Sequence, residues 1–231
     1  MPFSSKLPDV GTSIFTVMSR IAEQSGALNL GQGFPDFDPP PELAEALAHH
    51  VANGKNQYAP MAGVPRLRER IAEKLTRDYG RALDPEREVT VTSGATEGIF
   101  DVVAATVGPG DEAVVFDPCY DSYDPAIRLQ GGRAVHLPLR PDFGVDWDRL
   151  RGALTARTRL VIVNFPHNPS GAVLSPEDVA ELAAALRDSD AWLLSDEVYE
   201  HIVFDDKEHQ SVLRNTELAE RSFVVSSFGK T

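Results

Sequence analysis

The chain is poor in cysteine, in basic residues and in long apolar runs. Cys119 is the only cysteine among 231 residues, so the sequence allows neither an intrachain disulfide nor a cysteine metal cluster. The 22 Lys and Arg are outnumbered by 35 Asp and Glu, and a net charge of -13 would repel nucleic acid and anionic membranes. No apolar run approaches the roughly 18 residues of a transmembrane helix, and the first eight residues lack the apolar core of a signal peptide. We therefore expect a globular protein of the reducing cytoplasm, with no metal site and no nucleic-acid or membrane partner.

From Glu88 onward, short β-branched runs alternate with amphipathic stretches. The runs predict strands at Val89–Thr92, Ala113–Phe116, Ala134–Leu137, Leu160–Val163, Trp192–Leu194 and Phe223–Val225. The amphipathic stretches predict helices at Glu97–Ala105, Asp146–Leu154 and Pro176–Leu186, and upstream at Ile14–Glu23, Glu42–Val51 and from Val64 to the stop at Gly80. This alternation predicts an α/β fold, a mostly parallel sheet with helices on both faces, which binds ligands at the carboxyl ends of its strands. Residues 1–40, rich in Gly and Pro, are expected to form an N-terminal arm, and residues 41–231 the main domain.

Four short motifs follow predicted strands, and each has an ordinary structural interpretation. The turn Thr92–Glu97 (TSGATE) suits a phosphate at a helix N-terminus, although many strand-to-helix turns are similar. Asn164–Gly171 (NFPHNPSG) consists of common turn formers. The two carboxylates of Ser195–Tyr199 (SDEVY) could be a metal site, a catalytic pair or a helix cap, and Ser226–Thr231 (SSFGKT) could be solvated surface.

Taken in order, the four motifs resemble those of the fold-type I pyridoxal-phosphate enzymes, and within them the class I and II aminotransferases. NLGQGFPDF at Asn29–Phe37 and NQYAPMAG at Asn56–Gly63 are similar to the methionine, glutamine and kynurenine aminotransferases, a group that includes cysteine-conjugate β-lyases. The resemblance implies pyridoxal 5'-phosphate as cofactor, transamination between an L-amino acid and a 2-oxo acid, and a homodimer with shared active sites. A carbon–sulfur β-lyase and a non-catalytic remnant or cofactor-binding module are the alternatives.

The resemblance also implies catalytic roles for individual residues. Lys230 matches the lysine that holds the cofactor and then carries the substrate's α-proton. Asp196 matches the carboxylate that pairs with the pyridine nitrogen. Tyr199 and Asn168 match the two side chains that hydrogen-bond the ring's phenolic oxygen, and Asn168 is also expected to contact the substrate.

Further residues are implied to bind the cofactor or the substrate. They are Gly94, Ala95 and Thr96 in the phosphate turn, Ser227 on the same phosphate, Tyr120 stacked on the ring, Tyr58 on the phosphate of the neighbouring subunit's cofactor, Gly33 at the substrate carboxylate and Phe15 in an aromatic wall. His167 and Glu197 lie within the motifs but are assigned no role.

Members of the family continue beyond this lysine. They add a cationic phosphate ligand, a further strand and a small C-terminal domain, whose arginine grips the substrate's α-carboxylate. No arginine in these 231 residues matches that motif. We therefore expect a large domain that is incomplete at its C-terminus, without the small domain, and little or no transaminase activity from this polypeptide alone.

Overall fold

The computed structural model describes residues 4–33 and 37–230. The predicted motif at Asn29–Phe37 therefore lies partly outside the described residues, as does Thr231. Contacts divide the chain into two units, one made mainly of Pro8–Met61 and the other mainly of the residues from Ala62 onward. The domain boundary expected at residue 40 stays a prediction.

The first unit contains two amphipathic helices, α1 (Ile14–Ser25) and α2 (Pro41–Ala52). The Ser13 side chain accepts a hydrogen bond from the Thr16 N–H and so caps the start of α1. Proline occupies the first position of α2, where a missing N–H costs no helical hydrogen bond. Both helices agree with the predicted ones to within two residues, and neither contains a buried residue.

The second unit is built on a five-stranded parallel sheet in the order β2-β1-β3-β4-β5. The strands are β1 (Glu112–Asp117), β2 (Arg133–Pro138), β3 (Thr158–Asn164), β4 (Trp192–Asp196) and β5 (Ser222–Val225). The helices are α3 (Pro65–Tyr79), α4 (Gly94–Thr106), α5 (Tyr123–Leu129), α6 (Trp147–Ala153), α7 (Pro176–Leu186) and α8 (Thr216–Ala219), with a 3-10 turn at Val212–Arg214.

The core lies on both faces of this sheet. Because side chains alternate along a strand, Leu160 and Ile162 of β3 pack with helices α4 and α5, whereas Val161 and Val163 pack with α6 and α7 on the opposite face. All four side chains are almost completely buried. The predicted α/β fold with helices on both faces is confirmed.

The predicted strand at Val89–Thr92 is wrong. Val89 is buried, as the apolar run indicated, but the segment is irregular. Its Val91 N–H donates to the Ala62 carbonyl at 3.0 Å, and among the described residues no neighbouring strand pairs with it. Apolar burial alone does not make a strand, which also needs a continuous backbone partner.

An ionic cluster closes the amino end of the sheet. The Glu112 carboxylate is almost fully buried and accepts hydrogen bonds from Arg133 Nη2 at 2.7 Å, Arg157 Nε at 3.0 Å and Thr155 Oγ1 at 2.9 Å. Hydrogen bonds from Arg133 and Arg157 outweigh burial and lower the pKa of this carboxyl to about 2. The cluster joins β1 to the starts of β2 and β3, at the edge opposite the predicted site.

No helix among the described residues is both long and apolar enough to cross a membrane.

Candidate active site

Three neighbouring strands bring the predicted site residues to one edge of the sheet. β3, β4 and β5 are parallel, with Asn164 paired to Asp196 and Asp196 paired to Val225. The segments that follow these pairs carry Asn168, Tyr199 and Lys230. The carboxyl edge of a parallel sheet is where α/β proteins bind their ligands.

Asp196 is the buried carboxylate of this edge, with 4% of its surface exposed. Its Oδ2 accepts a hydrogen bond of 2.6 Å from the Tyr123 hydroxyl, and its Oδ1 accepts a longer one, 3.3 Å, from the Val198 N–H. Burial raises the pKa of this carboxyl, against these two hydrogen bonds, which lower it. Within the described part of the chain no Lys, Arg or His forms an ion pair with Asp196, so its charge has no cationic partner.

Asn164 connects the two strand ends. Its side-chain Nδ2 donates to the Asp196 carbonyl at 3.0 Å, and its Oδ1 accepts from the Asn168 N–H at 3.0 Å. The Phe165 N–H also donates to the Asp196 carbonyl, at 3.2 Å. Asn168 is thereby held beside the strand that carries Asp196, with its amide group partly exposed.

Two tyrosines connect this carboxylate to the start of α4. The rings of Tyr120 and Tyr123 meet edge to face, with centroids 5.8 Å apart. The Tyr120 hydroxyl lies 3.5 Å from Thr96 Oγ1. The predicted ring-stacking residue and the predicted phosphate turn are therefore neighbours.

The predicted phosphate turn forms the first turn of α4, which begins three residues earlier than the sequence indicated. Gly94 has φ +79°, a left-handed backbone that favours glycine. The Glu97 carboxylate accepts a hydrogen bond from the Ser93 N–H. The first N–H groups of a helix lack helical partners and, together with its dipole, favour an anion. In this turn the Gly94 N–H already donates to the Thr92 carbonyl at 2.8 Å, so the N–H groups of Ala95 and Thr96 are the backbone donors it can offer a phosphate.

Lys230 lies next to Tyr199 at the end of the described chain. The Lys230 ammonium is 6.0 Å from the centroid of the Tyr199 ring. Burial raises the pKa of the half-buried Tyr199 phenol, and the neighbouring Asp196 and Tyr120 add to the effect. Ser227 Oγ accepts a hydrogen bond from the Gly229 N–H at 3.0 Å, which shapes the loop leading to Lys230.

The remaining predicted residues belong to the other unit. Phe15 is partly buried on α1, Gly33 is exposed and the Tyr58 side chain is fully exposed. Their implied contacts with substrate and cofactor stay predictions.

Sequence reasoning missed Tyr123, the only side chain among the described residues that hydrogen-bonds the Asp196 carboxylate across the site. Tyr123 follows Tyr120 by three residues and opens α5, and this spacing is equally typical of a core aromatic. No signal in the sequence distinguishes the two roles, because the partner is 73 residues away.

The two motif residues without an assigned role are structural. His167 lies between the Pro118 carbonyl, 2.9 Å from its Nε2, and Ser170 Oγ, 2.7 Å from its Nδ1, and burial lowers the pKa of its ring. The Glu197 carboxylate accepts hydrogen bonds from Ser195 Oγ at 2.8 Å and from the Val212 N–H at 3.1 Å. Glu197 thus shares none of the hydrogen-bond partners of Asp196.

Asp117, Cys119 and His136 form one group of possible metal ligands, with donor atoms within 4.8 Å of one another. His136 Nδ1 already lies 2.9 Å from Asp117 Oδ1, and nearby acidic groups reinforce burial in raising the pKa of the Cys119 thiol to about 12. The expectation that the protein has no metal site stays a prediction.

Comparison with known proteins identifies the family. The model of "Aminotransferase class I and II" matches residues 25–231. The chain belongs to this family. Class I and II aminotransferases depend on pyridoxal phosphate, so the resemblance inferred from the motifs and the implied cofactor are both confirmed.

The relatives are aminotransferases of differing specificity. A methionine aminotransferase of Escherichia coli is 54% identical over 228 residues, which are 98% of this chain and 59% of the relative. Human kynurenine–oxoglutarate transaminase 1 is 34% identical, over 92% of this chain and 54% of its own length. A crystal structure of an E. coli methionine aminotransferase superposes with a TM-score of 0.96 at 53% identity, covering all of this chain and 60% of that one. The chain therefore spans between 54% and 60% of the length of these three relatives.

The donor set at the carboxyl edge fits pyridoxal phosphate. Asp196 is a buried carboxyl without a cationic partner among the described residues, and the pyridine nitrogen of the cofactor would supply a partner for it. The amine of Lys230, the phenol of Tyr199, the amide of Asn168 and the turn at Gly94 suit the other groups of this cofactor. Which of these residues contact the cofactor stays a prediction.

Proposed function

We propose that this protein is a pyridoxal-phosphate-dependent aminotransferase, and that the residues from Ala62 onward form its cofactor-binding part. The amino donor would be an L-amino acid of the methionine, glutamine or aromatic type, and the acceptor a 2-oxo acid. Family membership supports the reaction class. The observation that carries the assignment to this site is the proximity of the Lys230 ammonium to Tyr199, 6.0 Å from its ring, beside the strand that ends at buried Asp196.

Each side chain of the site would have a role that follows from its charge and its position. When bound, pyridoxal phosphate withdraws electrons from the α-carbon of the amino acid. Asp196 would keep the pyridine nitrogen protonated, because its buried carboxylate gains a cationic partner. Tyr199 and Asn168 would donate hydrogen bonds to the ring oxygen, and Tyr120 would stack on the ring. The first turn of α4 and the Ser227 hydroxyl would hold the phosphate.

Lys230 would have two tasks. Its Nζ would hold the cofactor covalently in the resting protein and, once released, take the proton from the substrate's α-carbon. Both tasks require an unprotonated amine that can approach the ring. The adjacent Gly229 leaves room for that approach, since among the described residues other than its chain neighbours only the Ser227 hydroxyl comes within 4 Å of a Cβ added there.

The family resemblance also implies binding residues in the other unit. We propose that Phe15 and Gly33 contact the substrate, and that the fully exposed Tyr58 reaches the phosphate bound by a second copy of the chain. A homodimer with shared sites would follow. We also place the protein in the cytoplasm, which suits its single cysteine and acidic composition.

Covalent trapping tests the assignment of Lys230. The protein is incubated with pyridoxal phosphate, reduced with borohydride and mapped by mass spectrometry. We expect one label per chain, on Lys230, and its loss in Lys230→Ala but not in Lys207→Ala, an exposed lysine of a surface turn. Full labelling of the Lys230→Ala variant would overturn the assignment.

Product analysis tests the reaction class. A transaminase releases the 2-oxo acid of its amino donor and passes the amino group to an acceptor, whereas a carbon–sulfur β-lyase releases pyruvate and a thiol from a cysteine conjugate. Since little transaminase activity is expected of this polypeptide alone, we expect a small yield of product, and we expect that product to be the 2-oxo acid of methionine or glutamine. Release of pyruvate and thiol alone would instead support the lyase.

A further inference from the structure

Glu200, the residue after Tyr199, is a buried carboxylate that the proposed chemistry does not use. It is 6% exposed and accepts hydrogen bonds from three side chains. Its Oε2 accepts from Lys74 Nζ at 2.7 Å and from the Tyr79 hydroxyl, and its Oε1 accepts from Ser226 Oγ at 2.7 Å. Every oxygen of this carboxylate is therefore engaged.

These three donors come from different parts of the unit. Lys74 and Tyr79 lie on α3, whereas Ser226 directly follows β5 and begins the segment that carries Ser227 and Lys230. The Glu200 N–H donates to the Glu197 carbonyl at 3.0 Å, so Glu200 closes the turn that presents Tyr199. One carboxylate thus joins a helix, the turn with Tyr199 and the segment with Lys230.

The bond to Ser226 lies where the sheet ends. The last backbone hydrogen bond between the two segments runs from the Glu197 N–H to the Val225 carbonyl, at 2.8 Å. Beyond it, within the described residues, no backbone hydrogen bond connects residues 226–230 to the turn at residues 197–200. The side chains of Glu200 and Ser226 continue the connection where the backbone ladder has stopped.

The charge state of Glu200 makes this connection firm. Burial opposes ionisation, yet hydrogen bonds from Lys74, Tyr79 and Ser226 outweigh it and hold the pKa of the carboxyl below its usual value. Hydrogen bonds to an ionised acceptor are about twice as strong as neutral ones. Burial, and after it the hydrogen bond to Glu200, raise the pKa of the Tyr79 phenol well above its usual value, so Tyr79 remains a donor.

We propose that Glu200 is a positioning residue that fixes Lys230 relative to Tyr199, by holding the end of β5 through Ser226 while α3 holds Glu200 in place. The inference rests on the proposed function of Lys230 and Tyr199. It differs from a purely structural role, in which Glu200 would only anchor α3. The two roles can be distinguished at Ser226, because its hydroxyl contributes to positioning Lys230 and does not contribute to anchoring α3.

Ser226→Ala is the decisive variant, because it removes one hydroxyl from an exposed residue and leaves both contacts with α3 in place. Ser222→Ala is its matched control, since that hydroxyl donates to the Leu218 carbonyl at the opposite end of β5. Glu200→Gln removes the charge and keeps the shape. Two readouts are measured for each variant. The first is amide hydrogen exchange without cofactor at Glu197, whose N–H donates to the Val225 carbonyl, and at Gly229, whose N–H donates to Ser227 Oγ. The second is the rate at which pyridoxal phosphate labels Lys230 under borohydride.

We expect Ser226→Ala and Glu200→Gln to speed exchange of these amides by about tenfold, the factor for a lost hydrogen bond of about 1.4 kcal/mol. We also expect them to slow labelling of Lys230 severalfold, with Ser222→Ala unchanged in both readouts. Exchange and labelling at the unmodified level in Ser226→Ala would show that Glu200 only anchors α3, even if Glu200→Gln lowers Tm.

Failure of the two hypotheses is distinguishable. If the unmodified protein never acquires label on Lys230, the proposed function fails, while amide exchange still decides whether Glu200 holds the segment. If Lys230 is labelled and neither readout differs between Ser226→Ala and the unmodified protein, the proposed function stands and the positioning role is wrong. If Glu200→Gln does not fold, Ser226→Ala alone gives the answer.

Discussion

Replacing Tyr123 by Phe removes the one side-chain hydrogen bond that the described residues donate to the Asp196 carboxylate. The ring stays the same size, so the packing of this almost fully buried side chain is retained. What is lost is a 2.6 Å bond from a hydroxyl to a carboxylate that is itself buried. Hydrogen bonds to charged groups contribute about 1.5–3 kcal/mol, and we expect the free energy of unfolding to fall by that amount at pH values where Asp196 is ionised.

The loss should depend on pH with a definite sign. The hydroxyl favours the ionised carboxylate and thereby lowers the pKa of Asp196, although burial keeps it above its ordinary value. In Tyr123→Phe the pKa of Asp196 therefore rises further. Because ionised Asp196 is the form that loses its donor, the variant should be most destabilised above the folded-state pKa of Asp196 and less so once the carboxyl is protonated in the folded protein.

Urea unfolding of the cofactor-free protein across a pH series measures this difference. Tyr120→Phe is the matched control, because its hydroxyl only lies 3.5 Å from Thr96 Oγ1 at an exposed position. A loss of stability in Tyr123→Phe that is the same at every pH, or no larger than that of Tyr120→Phe, would refute the argument. Tyr123→Phe should also bind pyridoxal phosphate more weakly than the unmodified protein, since a less ionised Asp196 pairs less well with the ring nitrogen.

Two further predictions concern stability alone. Hydrogen bonds from Arg133 and Arg157 hold the pKa of Glu112 at about 2 in the folded protein. The ionised carboxylate therefore stabilises the fold fully above its unfolded-state pKa of 4.5, and this stabilisation is lost as the pH falls towards 2. Because those arginines are largely exposed, we expect Glu112→Gln to cost only about 1–2 kcal/mol at pH 7 and to unfold like the unmodified protein near pH 2 in a thermal melt. Gly63→Ala should cost about 2–5 kcal/mol in urea unfolding, because φ is +99° and the added Cβ would lie 2.6 Å from a methyl carbon of Val91. At Gly80, φ is +74° and no described residue other than its chain neighbours comes within 4 Å of an added Cβ, so Gly80→Ala isolates the conformational part of the cost. An equal loss in both variants would refute the steric argument.

The strands were predictable where apolar runs are buried on both faces, and less so elsewhere. β3 and β4 read as continuous apolar segments because helices cover both sides of the sheet, and the structure has them there. The run at Val89–Thr92 alternates valine with threonine, is β-branched throughout and contains a buried valine, yet it is not a strand. The apolar composition of a segment indicates that it is buried, whereas strand pairing depends on which backbone segment lies beside it.

How well a helix start could be predicted depended on whether neighbouring residues cap it. α7 was predicted to the residue, because Ser175 and Asp178 form a reciprocal cap at its start. α4 begins earlier than its apolar spacing indicates, at Gly94, whose left-handed backbone precedes the apolar face. That difference places the predicted phosphate turn inside the helix's first turn.

The sequence by itself determined the family, the parallel α/β fold and the order of the chemistry-bearing residues, from Gly94 through Asn168 and Asp196 to Lys230. These follow from local patterns, since each motif occupies a few consecutive residues after a strand. Only the tertiary structure decided what surrounds them: Tyr123 donating to Asp196 across 73 residues, and Glu200 bonded to Tyr79 of α3, 121 residues away, and to Ser226. Such contacts follow from strand order and register rather than from any neighbouring residue, because the sheet brings distant segments to one edge.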